Sequence, residues 1–181
     1  MYDEAFQEIL SHLEKVFKTI KKEDIEKFID LILKHNKIFV YGAGRSGFMG
    51  RAFAQRLMHI GLNSYFIGET ITPACRRGDL LIVISGSGET ASCIALAEKA
   101  KKLGATVVAV TAHPESPLGG IADFILRVPG KTKKVEEKSY APFTSLFDIS
   151  VLTILDSISA EIMNRMGVDE NLILERHATV E

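Results

Sequence analysis

The stretch Leu80-Leu81-Ile82-Val83-Ile84-Ser85-Gly86-Ser87-Gly88-Glu89-Thr90 decides how this chain folds. Its five apolar residues read as a buried strand, and its second half as a tight turn rich in hydroxyls. Ala91 to Leu103, rich in Ala, Leu and Lys, then reads as a helix. A strand, a Ser/Gly turn and a helix in that order make an anion site. The first helical turn has N–H groups without intrahelical partners, and the helix dipole favours negative charge there. Gly86 and Gly88 let the backbone approach a ligand, while Ser85, Ser87 and Thr90 add hydroxyl donors. An ordinary helix cap needs only one such hydroxyl. The loop holds no Lys, so it is not the nucleotide loop G-x-x-x-x-G-K-[ST]. A small phosphorylated metabolite suits it better than a nucleoside triphosphate. Glu89 is a first-turn acid that could orient the loop.

Outward from this stretch, strand and helix patterns alternate. On the N-terminal side, Ile38 to Tyr41 and Tyr65 to Ile67 read as strands, with a helix over Phe48 to Ile60 that Gly61 stops. On the C-terminal side, Thr106 to Val110 and a weaker Phe124 to Val128 follow. This alternation predicts an α/β fold, a five-stranded parallel sheet with helices on both faces. Ligands of such sheets bind beyond the carboxyl ends of the strands. The first 35 residues carry two amphipathic patterns, predicting a helical hairpin. Phe6, Ile9, Leu10, Leu13, Val16 and Phe17 mark the first helix, and Ile25, Phe28, Ile29 and Ile32 the second. A long helix is expected over Phe143 to Met166, stopped by Gly167, and a short one over Glu170 to His177. The organisation is therefore one domain: hairpin over 1–35, α/β core over 36–130, and C-terminal helices over 140–181. The long helix is apolar on most sides, which predicts burial on most sides. In so small a chain that favours a homo-oligomer.

A second glycine loop, Gly42-Ala43-Gly44-Arg45-Ser46-Gly47, also stands between a strand and a helix. It matches G-x-G-x-x-G, and Glu69 lies where a ribose-binding acid would stand, so a nicotinamide nucleotide is one reading. The alternative is a single sugar phosphate held by both loops, with Gly44, Arg45 and Ser46 contributing. Arg45 and Ser46 can contact a phosphate themselves, and a dinucleotide site needs only the first loop.

Composition narrows the classes. The chain has 181 residues, 46% hydrophobic, with net charge −1. No basic surface for nucleic acid is expected: Lys131, Lys133 and Lys134 are followed at once by Glu136 and Glu137, a solvated loop. Two cysteines, Cys75 and Cys93, make neither a disulfide framework nor a zinc site and read as bystanders. Neither a signal peptide nor a membrane span shows in the pattern, so a soluble cytoplasmic protein is expected.

Taken together, the motifs resemble the sugar isomerase (SIS) domain, and within it the 6-phospho-3-hexuloisomerases. The resemblance rests on both glycine loops, Arg56-Leu57-Met58-His59, Gly68-Glu69-Thr70 with Thr72-Pro73, Phe147-Asp148 and His177. It implies a five-stranded, flavodoxin-like three-layer sandwich, a homotetramer and active sites at subunit boundaries. The implied activity converts a 3-keto-hexose 6-phosphate into fructose 6-phosphate without metal, nucleotide or other cofactor. It would serve the ribulose monophosphate route of formaldehyde assimilation. Such a reaction passes through a cis-enediol. It needs a base for a proton alpha to a carbonyl and a dipole or acid for the enediolate. In the family the base is usually taken to be a Glu at the start of the long helix, and here Asp148 holds that position. Glu69, His59 and His177 are the other catalytic candidates. Two related readings stay open: a phosphosugar-binding module without chemistry, and an aldose–ketose isomerase.

Overall fold

The computed structural model describes residues 1–132 and 138–180. Lys133, Lys134, Glu136 and Glu137, read above as part of a solvated loop, lie outside the described residues. Five strands, β1 (Ile38–Gly42), β2 (Ser64–Phe66), β3 (Leu80–Ile84), β4 (Thr106–Thr111) and β5 (Phe124–Arg127), form one parallel sheet in the order β2-β1-β3-β4-β5. Every residue of β3 is buried. That is why its sequence is an unbroken apolar run rather than an alternating one.

One face is covered by α2 (Lys22–Lys34), α3 (Gly44–Ile60) and α6 (Ser145–Met166), and α1 (Tyr2–Thr19), the other arm of the N-terminal hairpin, packs against α6. Phe28, Phe53, Leu57, Phe147 and Val151 fill the space beneath them. Each such side chain contributes about 1.5–3 kcal/mol by leaving water. The opposite face carries α4 (Ala91–Lys102) and the short α5 (Pro117–Ile121), packed through Cys93, Ala97 and Leu118. A last helix, α7 (Glu170–Arg176), lies against the C-terminal end of α3, where Arg176 donates to the Met58 carbonyl.

Three local differences from the sequence reading have physical causes. α3 starts at Gly44 rather than Phe48, so the second half of the first glycine loop is itself the first helical turn. β2 lies one residue earlier than expected, paired with β1 through Ser64 to Phe66. α5 carries a readable start that the sequence reading passed over. Ser116 caps it through Gly119 N–H, and Pro117 fills the first helical position.

The connection from β1 runs out to β2 on one side, and that from β3 runs to β4 on the other. The carboxyl ends of β1 and β3 therefore form the switch point where ligands of open α/β sheets bind. Gly42 and Ile84, the last residues of these strands, are register partners. The two glycine loops leave the sheet side by side.

Candidate active site

A cavity of about 300 Å³ opens at this switch point. Its walls are Gly44, Arg45 and Ser46 from the first loop, and Ser85, Gly86, Ser87 and Thr90 from the second. Thr132, Phe143, Thr144 and Phe147 close the far side. A more open hollow of about 430 Å³ on the other face is lined by Phe39, Leu81, Leu96 and Cys75 and carries no hydroxyl-rich loop.

The second loop is braced from behind. The Gly86 carbonyl accepts from Ala112 N–H (3.2 Å) and from Thr111 Oγ1 (3.2 Å), and the Gly88 carbonyl accepts from Leu118 N–H (3.1 Å). A planar trans peptide sets N–H opposite C=O, so anchoring the Gly86 carbonyl on β4 turns the Ser87 N–H away from it. Ser85 Oγ and Thr90 Oγ1 stand 3.3 Å apart, and each hydroxyl keeps capacity for a further bond. Gly88 has φ +64°, and a Cβ there would sit 1.9 Å from Ser116 Oγ, so the turn tolerates no side chain. Gly88 thus shapes the loop without lining the cavity. Glu89 faces solvent, also outside the lining, and its N–H donates to Ser87 Oγ (3.3 Å).

The first loop owes its outer glycines to packing. A Cβ on Gly47 would lie 2.6 Å from the Gly42 carbonyl oxygen, so strand and helix meet there at backbone distance. Arg45 and Ser46 are held by Asp148 in the first turn of α6. Ser46 Oγ donates to Asp148 Oδ1 (2.9 Å), and Arg45 Nε donates to Oδ2 (3.1 Å). Thr144 Oγ1 also donates to Oδ2 (2.8 Å). Asp148 is fully buried and does not line the cavity. These three hydrogen bonds reach both oxygens yet leave acceptor capacity on the carboxylate, which stays behind the cavity wall.

The other three catalytic candidates lie apart from the cavity in this chain. Glu69 sits beyond the edge strand β2 and accepts from Arg51 (2.8 Å), whose guanidinium lies over the Phe66 ring. So engaged, it does not line the cavity between the two loops. His59 is at the far end of α3 from Gly44, about 22 Å away at 1.5 Å per residue. It is buried and stacked on His177, ring centroids 5.4 Å apart. Burial pushes the His59 imidazole below its ordinary pKa, and the charges of His177 and Arg56 push it the same way. Burial likewise raises the Cys75 and Cys93 thiols, so neither is an activated nucleophile.

Four wall residues escaped the sequence reading as ligand contacts. Phe143 has φ +29°, the one non-glycine with positive φ among the described residues. A bulky residue keeps such a backbone only where its surroundings hold it. Thr132 is buried, with its hydroxyl 3.0 Å from His113 Nε2. Thr144 and Phe147 come from the start of α6. No local pattern marks any of the four, because tertiary packing alone brings them to the loops.

This site stands in a chain whose residues 31–153 match the SIS domain. The chain belongs to the SIS domain family. Relatives named 3-hexulose-6-phosphate isomerase align over nearly its whole length. The protein of that name from Bacillus subtilis is 42% identical over 181 residues, 98% of each chain. That from Mycobacterium gastri is 38% identical, covering 93% of this chain and 87% of its own. A crystal structure of a Methanococcus jannaschii protein, described as inferring the same function, superposes with a TM-score of 0.85 at 39% identity. It covers 99% of this chain and 98% of that one. The five-stranded parallel SIS architecture expected from the sequence is the one found. Among the described residues, no helix is long and apolar enough to cross a membrane.

Proposed function

We propose that this SIS protein is a 3-hexulose-6-phosphate isomerase, converting D-arabino-hex-3-ulose 6-phosphate into fructose 6-phosphate. The observation that carries the reading is one cavity flanked by a braced hydroxyl loop and a buried Asp148–Ser46–Arg45 cluster. The phosphate ester is held by Ser85, Ser87 and Thr90 with the N–H groups at the start of α4. The sugar chain extends towards Gly44, Arg45 and Ser46.

The reaction moves a carbon-bound proton from C2 to C3 and a hydroxyl proton from O2 to O3. Loss of the C2 proton gives an enediolate, and Arg45 supplies positive charge beside it. Ser46 Oγ, backed by Asp148, relays the hydroxyl proton. Among the described residues, the cavity lining offers no carboxylate or imidazole for the carbon-bound proton. We assign that role to His177 of a neighbouring copy, steadied by His59. Such sharing fits the subunit-boundary sites that the family resemblance implies.

A homo-oligomer, a tetramer by the same resemblance, follows as part of the proposal. α6 already buries most of its apolar surface within the chain. The uncovered apolar stripe lies on α1, where Tyr2, Phe6, Leu10 and Phe17 stay exposed, Phe17 by 85%. Sedimentation should give a particle several times the 19.9 kDa chain mass; a monomer at assay concentrations would refute the shared site.

One observation favours a second reading, a phosphosugar-binding module without turnover: Asp148 is shorter than the family's glutamate and pinned behind the cavity wall. A discontinuous assay separates the two. Purified protein given the 3-keto substrate should form fructose 6-phosphate without added cofactor. Tight binding of fructose 6-phosphate with no conversion would establish the binding module instead.

A further inference from the structure

Helix α1 contributes nothing to the cavity lining, yet it grips the segment that forms the far wall. Glu8 Oε2 accepts from two consecutive backbone N–H groups, those of Tyr140 (2.7 Å) and Ala141 (2.9 Å). One turn along the same helix, His12 Nε2 donates to the Pro129 carbonyl (3.2 Å). Each contact comes just ahead of a wall residue in the chain. Pro129 precedes Thr132 by three residues, and Ala141 precedes Phe143 by two. The carboxylate is charged in place: partial burial works to raise its pKa but is outweighed. Hydrogen bonds from Ala141, Ser139 and Tyr140, and the Lys131 charge, hold it below the usual carboxylate range.

What the grip fixes is unusual backbone. Immediately after Ala141, the Ser145 N–H bonds back to the Pro142 carbonyl (2.9 Å), and Phe143 between them takes its positive φ. Thr144 then stands at the N-terminal boundary of α6, with its hydroxyl donating to Asp148. On the other side, a Cβ on Gly130 would lie 2.5 Å from Phe147 Cα, so the strand exit presses directly on α6. The wall therefore has two anchors, α6 by packing and α1 by hydrogen bonds.

We propose that Glu8 is a positioning residue for the substrate cavity: through the Tyr140 and Ala141 N–H groups it sets Phe143 and Thr144 against the bound sugar. The inference rests on the reading of this cavity as the hexulose-phosphate site. Glu8 touches no substrate atom, so its loss should weaken binding more than chemistry. A charge-assisted pair of hydrogen bonds to two amides is a strong tether.

The chain contains no Trp, so Phe143→Trp places a single fluorescent reporter on the wall. Fructose 6-phosphate should shift its emission with Glu8 present and shift it far less with Glu8→Ala. In the otherwise native enzyme, Glu8→Ala should raise KM for the 3-keto substrate about tenfold, the scale of one lost charge-assisted hydrogen bond, with kcat within about twofold. Glu8→Gln keeps an acceptor oxygen and should recover most of the loss. Glu14→Ala, an exposed position on the same helix, should leave KM unchanged. Equal KM in wild type and Glu8→Ala would overturn the inference, as would Glu8→Ala and Glu14→Ala raising KM alike. Wild-type protein that fails to bind fructose 6-phosphate would overturn the reading of the cavity itself, a distinguishable failure.

Discussion

Asp148 accepts three hydrogen bonds, from Arg45, Ser46 and Thr144, just behind the cavity wall. Its carboxylate is one methylene shorter than a glutamate's, a difference of about 1.5 Å of reach. At this position reach decides whether the group stays behind the wall or enters the cavity. Asp148→Asn should lower kcat by about 100-fold or more while fructose 6-phosphate still binds, the usual scale for disabling a positioned proton relay, here Ser46 on its carboxylate. Asp148→Glu should retain or raise turnover, because the longer side chain brings the carboxyl towards the substrate. Single-turnover kinetics beside calorimetric binding check both; normal binding with total loss of turnover in the Glu variant would contradict a carboxylate that backs the Ser46 relay. The place of Ser85 and Ser87 at the cavity was legible in the sequence because it follows from local order: strand, hydroxyl turn, helix. Thr132 and Phe143 were not, because nothing nearby in the chain states which wall they will face.

Among the elements, β3 and α4 could be read outright, since an all-apolar strand and a Gly-bounded helix each have one reading. The start of α3 could not. G-x-G-x-x-G fits a nucleotide loop and a phosphosugar loop alike, and the close contact of Gly47 with Gly42 belongs to either. The far end of α3 carries a separate consequence. His59 is buried against His177 of the tail, and its imidazole is held below its ordinary pKa. The folded protein therefore keeps His59 neutral at pH values where the unfolded chain, near its usual value of about 6.5, has taken up a proton. Unfolding binds protons in that range, so stability falls as the pH drops through about 6.5 and is regained above it. Melting temperatures between about pH 5 and about pH 8 should show this slope, reduced in His59→Phe. The same slope in both proteins would contradict a neutral buried His59.

For the whole molecule, strand order explains why two loops more than forty residues apart share one cavity. β1 and β3 are neighbours, their connections leave in opposite directions, and both loops emerge at the gap between them. The layered fold was legible from the alternation of patterns. The dispersal of the catalytic candidates was not: Glu69, His59 and His177 lie away from the cavity of their own chain. A site completed by another copy would reconcile that placement with the exposed stripe on α1. The most direct test is a crystal structure with fructose 6-phosphate bound. The account predicts the ester within hydrogen-bond reach of Ser85, Ser87 and Thr90, with C2 and C3 turned towards Ser46. An ester bound at another edge of the sheet, with that loop empty, would contradict it.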